Sequence, residues 1–454
     1  MARSRAVFKY YLFKATEAVE FYRPIMYLYF LSQGLSFTQI VIIEALYNVT
    51  TVLGEVPTGY IGDRIGRRNS LLVGTALITA TLVGLALASS FLAFALLFVC
   101  WSLGYNFRSG TEDAWVYETL TDVSASEEFT RVRGRGQSIA LSAGVGASLV
   151  GGYLGGLDLA YPFLAAALFT GLGLFVIVTL DEPTTYEESG SSEMGLREAW
   201  TVVTEAVSQR RLRSFILYYF VLFSAVTYLV FIFLQPVFES VLAGIDVSLA
   251  TSLPVPGRDD PYRLALSTGD VETLLGIYYA AINLASAAVS YRIDLVRDRI
   301  GLRRWFVGVP LLVGGLLMTM MFVPSVALIA LFVGWASVEP TRVLAGQYVN
   351  DRIETLGRAT VLSAMAMVSA LTVIPFQLGS GVISDAVSPL IALSVAGGVL
   401  VLGSVAILLW ESPIERASMR RTTDEGTRNV PNPVCDSNRS NAPHWLSTST
   451  PVRS

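Results

Sequence analysis

Only two of the 454 residues are cysteine, Cys100 and Cys435, and only one is histidine, His444. One thiol inside an apolar run and one in a polar tail leave no disulfide framework to read. There is no Cys/His cluster at metal spacing, no HExxH and no Ser-His pair inside the apolar runs. Metal-assisted and triad hydrolysis therefore have no residues to work with. The lone histidine sits in the tail, which excludes a histidine proton relay inside a membrane. Lysine is nearly missing too, at Lys9 and Lys14 alone. No GxxxxGK[ST] phosphate loop occurs, so direct ATP drive has no support. Charged residues make up 15% of the chain, against about 25% in soluble domains. An enzyme, a cofactor, a bound metal and a nucleic-acid partner are all unexpected.

Apolar sequence dominates instead: 53% of residues are hydrophobic and the mean hydropathy is +0.56. A bilayer-spanning helix takes about 20 mostly apolar residues, because every backbone polar group must pair within the segment. Twelve stretches qualify: 8–31, 38–60, 69–88, 91–118, 137–156, 161–180, 214–237, 271–292, 305–323, 326–348, 359–383 and 388–410. Lys14, Glu17, Glu20 and Arg23 break the first run and no small-residue cleavage site follows, so it reads as a retained span rather than a secretory signal.

The net charge of -4 matters less than where the arginines lie. Arg64, Arg67 and Arg68, then Arg131, Arg133 and Arg135, then Arg297, Arg299, Arg303 and Arg304 all fall on one side of the spans. The short connections near Gly34, Ser90, Asp158, Pro324 and Asp385 carry no Lys or Arg. Basic residues in short loops stay cytoplasmic, which places both termini in the cytoplasm and the protein in the plasma membrane.

DEPTTYEESGSSEMG and then LREAWTVVTEAVSQRRL separate the spans into six and six. Leu196, Trp200, Val203 and Val207 recur at helical spacing, as in an amphipathic surface helix. The expected organisation is a six-helix bundle over 1–180, a cytoplasmic linker with that helix over 181–213, a second bundle over 214–410 and a disordered cytoplasmic tail over 411–454. DRIGRR at Asp63–Arg68 returns as DRIGLRR at Asp298–Arg304, between the second and third spans of each half. Two halves of six spans in one orientation form a parallel repeat.

The stretch EVPTGYIGDRIGRR resembles the signature G-x-x-x-D-R-x-G-R-R of the major facilitator superfamily, met here by Gly59, Asp63, Arg64, Gly66, Arg67 and Arg68. DAWVYETL and GRATVLS are similar to segments common in prokaryotic members. The resemblance covers residues 1 to about 410. It implies an all-α integral membrane protein of twelve transmembrane helices in two pseudo-symmetric bundles. It further implies a monomeric secondary transporter of a small solute working by alternating access. In the family the motif's acid caps the start of span eleven, here near Arg358, Ala359 and Thr360, and its arginine pairs with an acid ending span four, here Glu118. Asp298, Arg303 and Asp351 would be the second-half counterparts of this cytoplasmic latch.

Ionisable groups inside spans cost roughly 2.5–3.5 kcal/mol each on insertion scales, so they face a cavity or a partner. Glu44, Asn48, Thr51 and Glu55 make one polar stripe on span two at 100° per residue. Glu17, Glu20 and Arg23 step by about 60° along span one and can share a cavity-facing arc; Lys14 lies opposite and can snorkel to the interface. An internal ion-pair network explains that group as well as substrate contact does. Span four offers Arg108, Glu112 and Asp113, with Arg108 and Glu112 one turn apart and able to pair. Span ten offers Glu339 and Arg342 beside Trp335, and Arg108 and Glu339 occupy matching places that can attract across a cavity. Tyr228, Gln235, Asn283 and Gln377 add donors and walls, while packing accounts for most such residues. Gly144, Gly151, Gly152, Gly155 and Gly156 read as close helix packing.

A carboxyl group kept from water can hold a proton at neutral pH, so Glu44, Glu112 and Glu339 are the candidates for proton coupling. The alternative is a membrane sensor that retains the fold without transport. The substrate and its direction of movement are not legible.

Overall fold

The computed structural model describes residues 2–122, 125–183, 210–244, 268–350 and 358–411, and every regular element among them is a helix. The first apolar run does not form one helix. α1 (Ala2–Glu17) stops midway, residues 18–25 pass through tight turns, and α2 (Met26–Ser32) completes the crossing. In the turns Arg23 N donates to Glu20 O and Ile25 N to Tyr22 O, both at 3.0 Å. Pro24 accounts for the interruption, since it offers no amide and disfavours helical geometry at Arg23. The expected continuous span 8–31 is thus corrected to a broken one.

α3 (Phe37–Ile65) opens on a reciprocal cap: Ser36 Oγ accepts from Gln39 N at 3.2 Å and Gln39 Oε1 accepts from Ser36 N at 3.0 Å, which satisfies two otherwise orphaned amides. It ends at Gly66, whose φ of +90° suits glycine alone, and α4 (Arg67–Leu87) starts at once. α5 (Phe91–Arg108) and α6 (Thr111–Asp122) share the fourth crossing, broken at Gly110 with φ +74°. α7 (Phe129–Leu157) and α8 (Tyr161–Val178) follow.

The second half runs through a π-helical stretch, Ile216–Phe223, into α9 (Ser224–Gly244), then α10 (Thr268–Tyr291), α11 (Leu302–Thr319), α12 (Val326–Ala336), α13 (Val338–Asn350), α14 (Arg358–Ala386) and α15 (Pro389–Trp410). The repeat is visible in the backbone. Gly301 precedes α11 with φ +82° and ψ 144°, close to the +90° and 160° of Gly66. The irregularities recur as well: the first and seventh crossings are broken or π-helical, and the fourth and tenth each divide in two.

Eleven helical segments among the described residues are long and apolar enough to cross a membrane. Counted with the broken first crossing, which is not among the eleven, they are consistent with the expected twelve. Helices in lipid gain little from burying apolar surface against one another, so small residues decide where backbones approach. A Cβ at Gly151 would collide with the Phe21 carbonyl in the broken crossing. One at Gly152 would lie 2.7 Å from Gly276 Cα, where α7 crosses α10. The surface helix expected at Leu196–Val207, Asp351 and nearly all of the tail lie outside the described residues.

Candidate functional site

The repeated motif marks one end of the helices. There Arg67 Nη1 lies 2.8 Å from Asp63, and its Nη2 lies 3.2 Å from Glu118 at the end of the fourth crossing. Arg64 stacks its guanidinium 4.4 Å from the Tyr60 ring centroid. Glu182, just after the sixth crossing, accepts from the Arg67 and Arg68 amides at 2.5 and 3.0 Å, a carboxylate at the positive end of α4. A side chain at Gly66 would meet that carboxylate. Gly59 lies in the last turns of α3. In the second copy Asp298 is 3.5 Å from Arg297, and Arg303 lies in the first turn of α11. The expected partner of Asp63 at side chains 358–360 lies outside the described residues.

Cavities occupy the half of the helices nearer this motif end. The innermost, of about 330 Å³, reaches the break in the first crossing and is lined by Glu20, Arg23, Ser148, Tyr228, Phe231, Tyr279, Asn283 and Trp335. Glu20 Oε2 takes both Nε and Nη2 of Arg23, at 2.8 and 2.6 Å. The Phe231 ring centroid lies 5.1 Å from that guanidinium and 5.1 Å from the Trp335 ring, which stacks on it at 22°. Asn283 Nδ2 is 3.4 Å from Ser148 Oγ across the halves. A wider space of about 770 Å³ continues between α7, α10 and α13, lined by Gln137, Ser142, Ser286, Trp335, Glu339 and Arg342 among others. Glu339 and Arg342 pair there at 2.5 Å.

A third space, of about 220 Å³, holds Lys14, Glu17, Arg108, Glu112, Asp113 and Arg133. Lys14 bridges Glu17 and Glu112, each at 2.9 Å, Arg108 pairs with Glu17, and Arg133 holds Asp113 at 2.7 Å. Four expectations change here. Arg108 and Glu112 do not share a helical turn, because Gly110 breaks the helix between them. Lys14 does not snorkel away but ties α1 to α6. Glu17, Glu20 and Arg23 do not follow one helical arc, since α1 ends at Glu17. Nor do Arg108 and Glu339 attract across the cavity: each has its own partner.

Toward the far end the halves meet. Glu44 is buried, accepting at 2.8 Å from Tyr27 OH of its own half and at 2.8 Å from Tyr228 OH of the other. Gln235 Oε1 accepts from Tyr27 N at 2.7 Å while its Nε2 donates to Arg23 O at 2.8 Å. Asp385, ending α14, accepts from Phe37 N at 2.8 Å and Thr38 N at 2.9 Å, capping α3 across the halves. The polar stripe of span two divides: Glu44 and Asn48 are buried, Thr51 bonds Ser102 at 2.8 Å and Glu55 is exposed. Gln377 is fully buried, with neither amide atom hydrogen-bonded among the described residues.

Sequence reasoning missed Glu182, Asp385 and Arg133 as partners. Glu182 carried a faint signal in its place straight after a span, and Asp385 in following one. Arg133 counted there only as a topology signal.

Similar proteins fit this geometry. The profile of the Major Facilitator Superfamily matches residues 18–366. A Bacillus subtilis (strain 168) protein described as the uncharacterized MFS-type transporter YxaM is 23% identical over 191 residues, 40% of this chain and 47% of that protein. The chain thus spans about half the length of that relative. Among solved structures, a mutant of the nucleoside transporter NupG superposes with a TM-score of 0.72 at 11% identity, covering 89% of this chain and 99% of that one. A D-xylose-proton symporter gives 0.59 at 13% identity, covering 90% and 97%. At such identities the likeness is one of fold.

Proposed function

Since this chain belongs to the major facilitator superfamily, we propose that it carries a small solute across the plasma membrane by proton-coupled alternating access, and that its cavity stands open to the cytoplasm. Membrane transport itself follows from the family. One observation carries the finer reading: the described cavities all lie toward the motif end, while contacts of Gln235, Asp385 and the Gly152–Gly276 crossing join the halves at the other. Closure on one side with access on the other is what a rocking pair of bundles requires. The arginine clusters at the motif end support its cytoplasmic placement and that of both termini.

Glu44 supports the coupling. Its two oxygens hold hydroxyls from opposite halves, and a proton on either oxygen removes the charge both bonds lean on and obliges one tyrosine to turn from donor to acceptor, which weakens the tie. Loading a proton and loosening the halves then become one event. Glu112, sharing Lys14 with Glu17, and Glu339, paired with Arg342, are the further candidates. A D-xylose-proton symporter uses this fold with protons, which is in keeping with the reading. Arg67 keeps its pairs with Asp63 and Glu118 while the cavity stands open, so the contact that closes the cytoplasmic latch is the one between Asp63 and the start of span eleven.

A thermal-shift screen of the purified protein against metabolites and drugs finds a ligand, because a solute bound only by the folded form raises its stability. In proteoliposomes that ligand is expected to show counterflow and to move protons. Proton flux that survives Glu44→Gln, Glu112→Gln and Glu339→Gln together removes the coupling from these residues. Binding without counterflow removes transport.

A further inference from the structure

With every carboxyl ionised, the charges along the path cancel. Ten ionisable acids and bases line the described cavities, five of each sign. Each is ion-paired with another of the ten. The innermost cavity holds one pair, Glu20 with Arg23, and the wide entry holds one pair, Glu339 with Arg342. Both are acid and base three residues apart, and both stand beside Trp335, which lines the two spaces in common.

From this pairing we infer that the transported solute carries no net charge. It is polar, with hydrogen-bonding groups for Asn283, Ser148 and the open edges of the Glu20–Arg23 pair, and it has one flat apolar face for the stacked Phe231 and Trp335 rings. A solute with net charge entering this space finds no unpaired counter-charge among the described residues that line it. It must either break an existing pair, leaving one member without its counter-charge once the cavity closes over it, or remain uncompensated itself. An uncharged ring-bearing solute, or a zwitterion that splits a pair and satisfies both members, leaves the balance intact. Arginine suits such a site because its fork has donors to spare after binding a carboxylate on one edge. The inference rests on the transport reading and names the solute class for the same cavity.

The test reads the cavity's charge directly. In a Cys100→Ser, Cys435→Ser background, Ser286→Cys places a thiol on the wall of the wide entry. Its reaction rates with cationic trimethylammonioethyl and anionic sulfonatoethyl methanethiosulfonate are compared with those of a free thiol. The cation-to-anion ratio is expected within about threefold of the free-thiol value, since a neutral cavity steers neither reagent. Glu339→Gln should move the ratio toward the anion and Arg342→Gln toward the cation. A ratio further from the free thiol, or two variants that move it alike, overturns the proposal. Matched solutes form the second arm, read by thermal shift: a nucleoside against its monophosphate, a sugar against its 6-phosphate, an amino acid against its decarboxylated amine. Stabilisation by the net-neutral member supports the inference, and an amino acid responding instead of a nucleoside or sugar assigns the zwitterionic form. Stronger stabilisation by the charged member overturns it, and where neither responds the labelling ratio decides. That ratio depends on the cavity's charge whether or not solute is carried, so its failure is separable from a failure of transport, which counterflow reports.

Discussion

Tyr228 of α9 donates its hydroxyl to Glu44 of α3 at 2.8 Å, so a buried carboxylate of one half is held by a phenol of the other. A hydrogen bond to a charged group is worth about 1.5–3 kcal/mol. Tyr228→Phe should shift the resting population toward the outward-open form by about tenfold or more. A cysteine at Ser148 in the cysteine-free background would then label faster from outside with a membrane-impermeant reagent. Labelling at the parent rate would remove this bond from the gate.

Asp385 caps α3 from the opposite half through two backbone amides. Charged helix caps contribute about 0.5–2 kcal/mol, and here that stabilises only conformations in which the far end is closed. Asp385→Asn is expected to lengthen the distance between spin labels at Ser89 and Val387, measured by electron double resonance. An unaltered distance distribution would mean that the cap is incidental to access.

At the motif end two carboxylates have separable tasks. Asp63→Asn removes one partner of Arg67 and should raise cytoplasmic labelling of a cavity cysteine, by weakening the contacts that close that side. Glu182→Ala removes the cap of α4 and should lower the melting temperature by the equivalent of about 1 kcal/mol, with little change in labelling. The same response from both variants would contradict this division.

Gly151 and Gly146 share α7 but not its constraints. A Cβ at Gly151 collides with the Phe21 backbone, while one at Gly146 meets nothing within 4 Å. Gly151→Ala should cost about 1–3 kcal/mol through overpacking, seen as reduced folded yield in size-exclusion chromatography. Gly146→Ala should match the parent.

Gln377 is buried without a hydrogen bond at either amide atom among the described residues. An unsatisfied buried polar group costs about 1–3 kcal/mol, so Gln377→Leu should raise thermal stability. A lower melting temperature would reveal a partner gained by that amide in the membrane.

Hydropathy, arginine placement and the repeated DRIG turn were enough to read twelve crossings, two halves and the end that carries the motif. These depend on what lipid tolerates and on a glycine backbone, both local properties of the chain. The same reading carried Glu17, Glu20 and Arg23 along one helix and paired Arg108 with Glu112 across one turn. Both steps assumed unbroken helices, and Pro24 and Gly110 end that periodicity.

Whether a membrane helix can break depends on what surrounds it. Freed backbone groups in a bilayer need partners that lipid cannot supply. Here Gln235, more than two hundred residues away, accepts from Tyr27 N and donates to Arg23 O, while Gly151 leaves room for the turn at Phe21. Composition and order along the chain dictated the membrane, the crossings and the motif. The placing of Glu20 beside Arg23 on a cavity wall followed from long-range partners, because only packing brings an amide from the seventh crossing to the gap in the first.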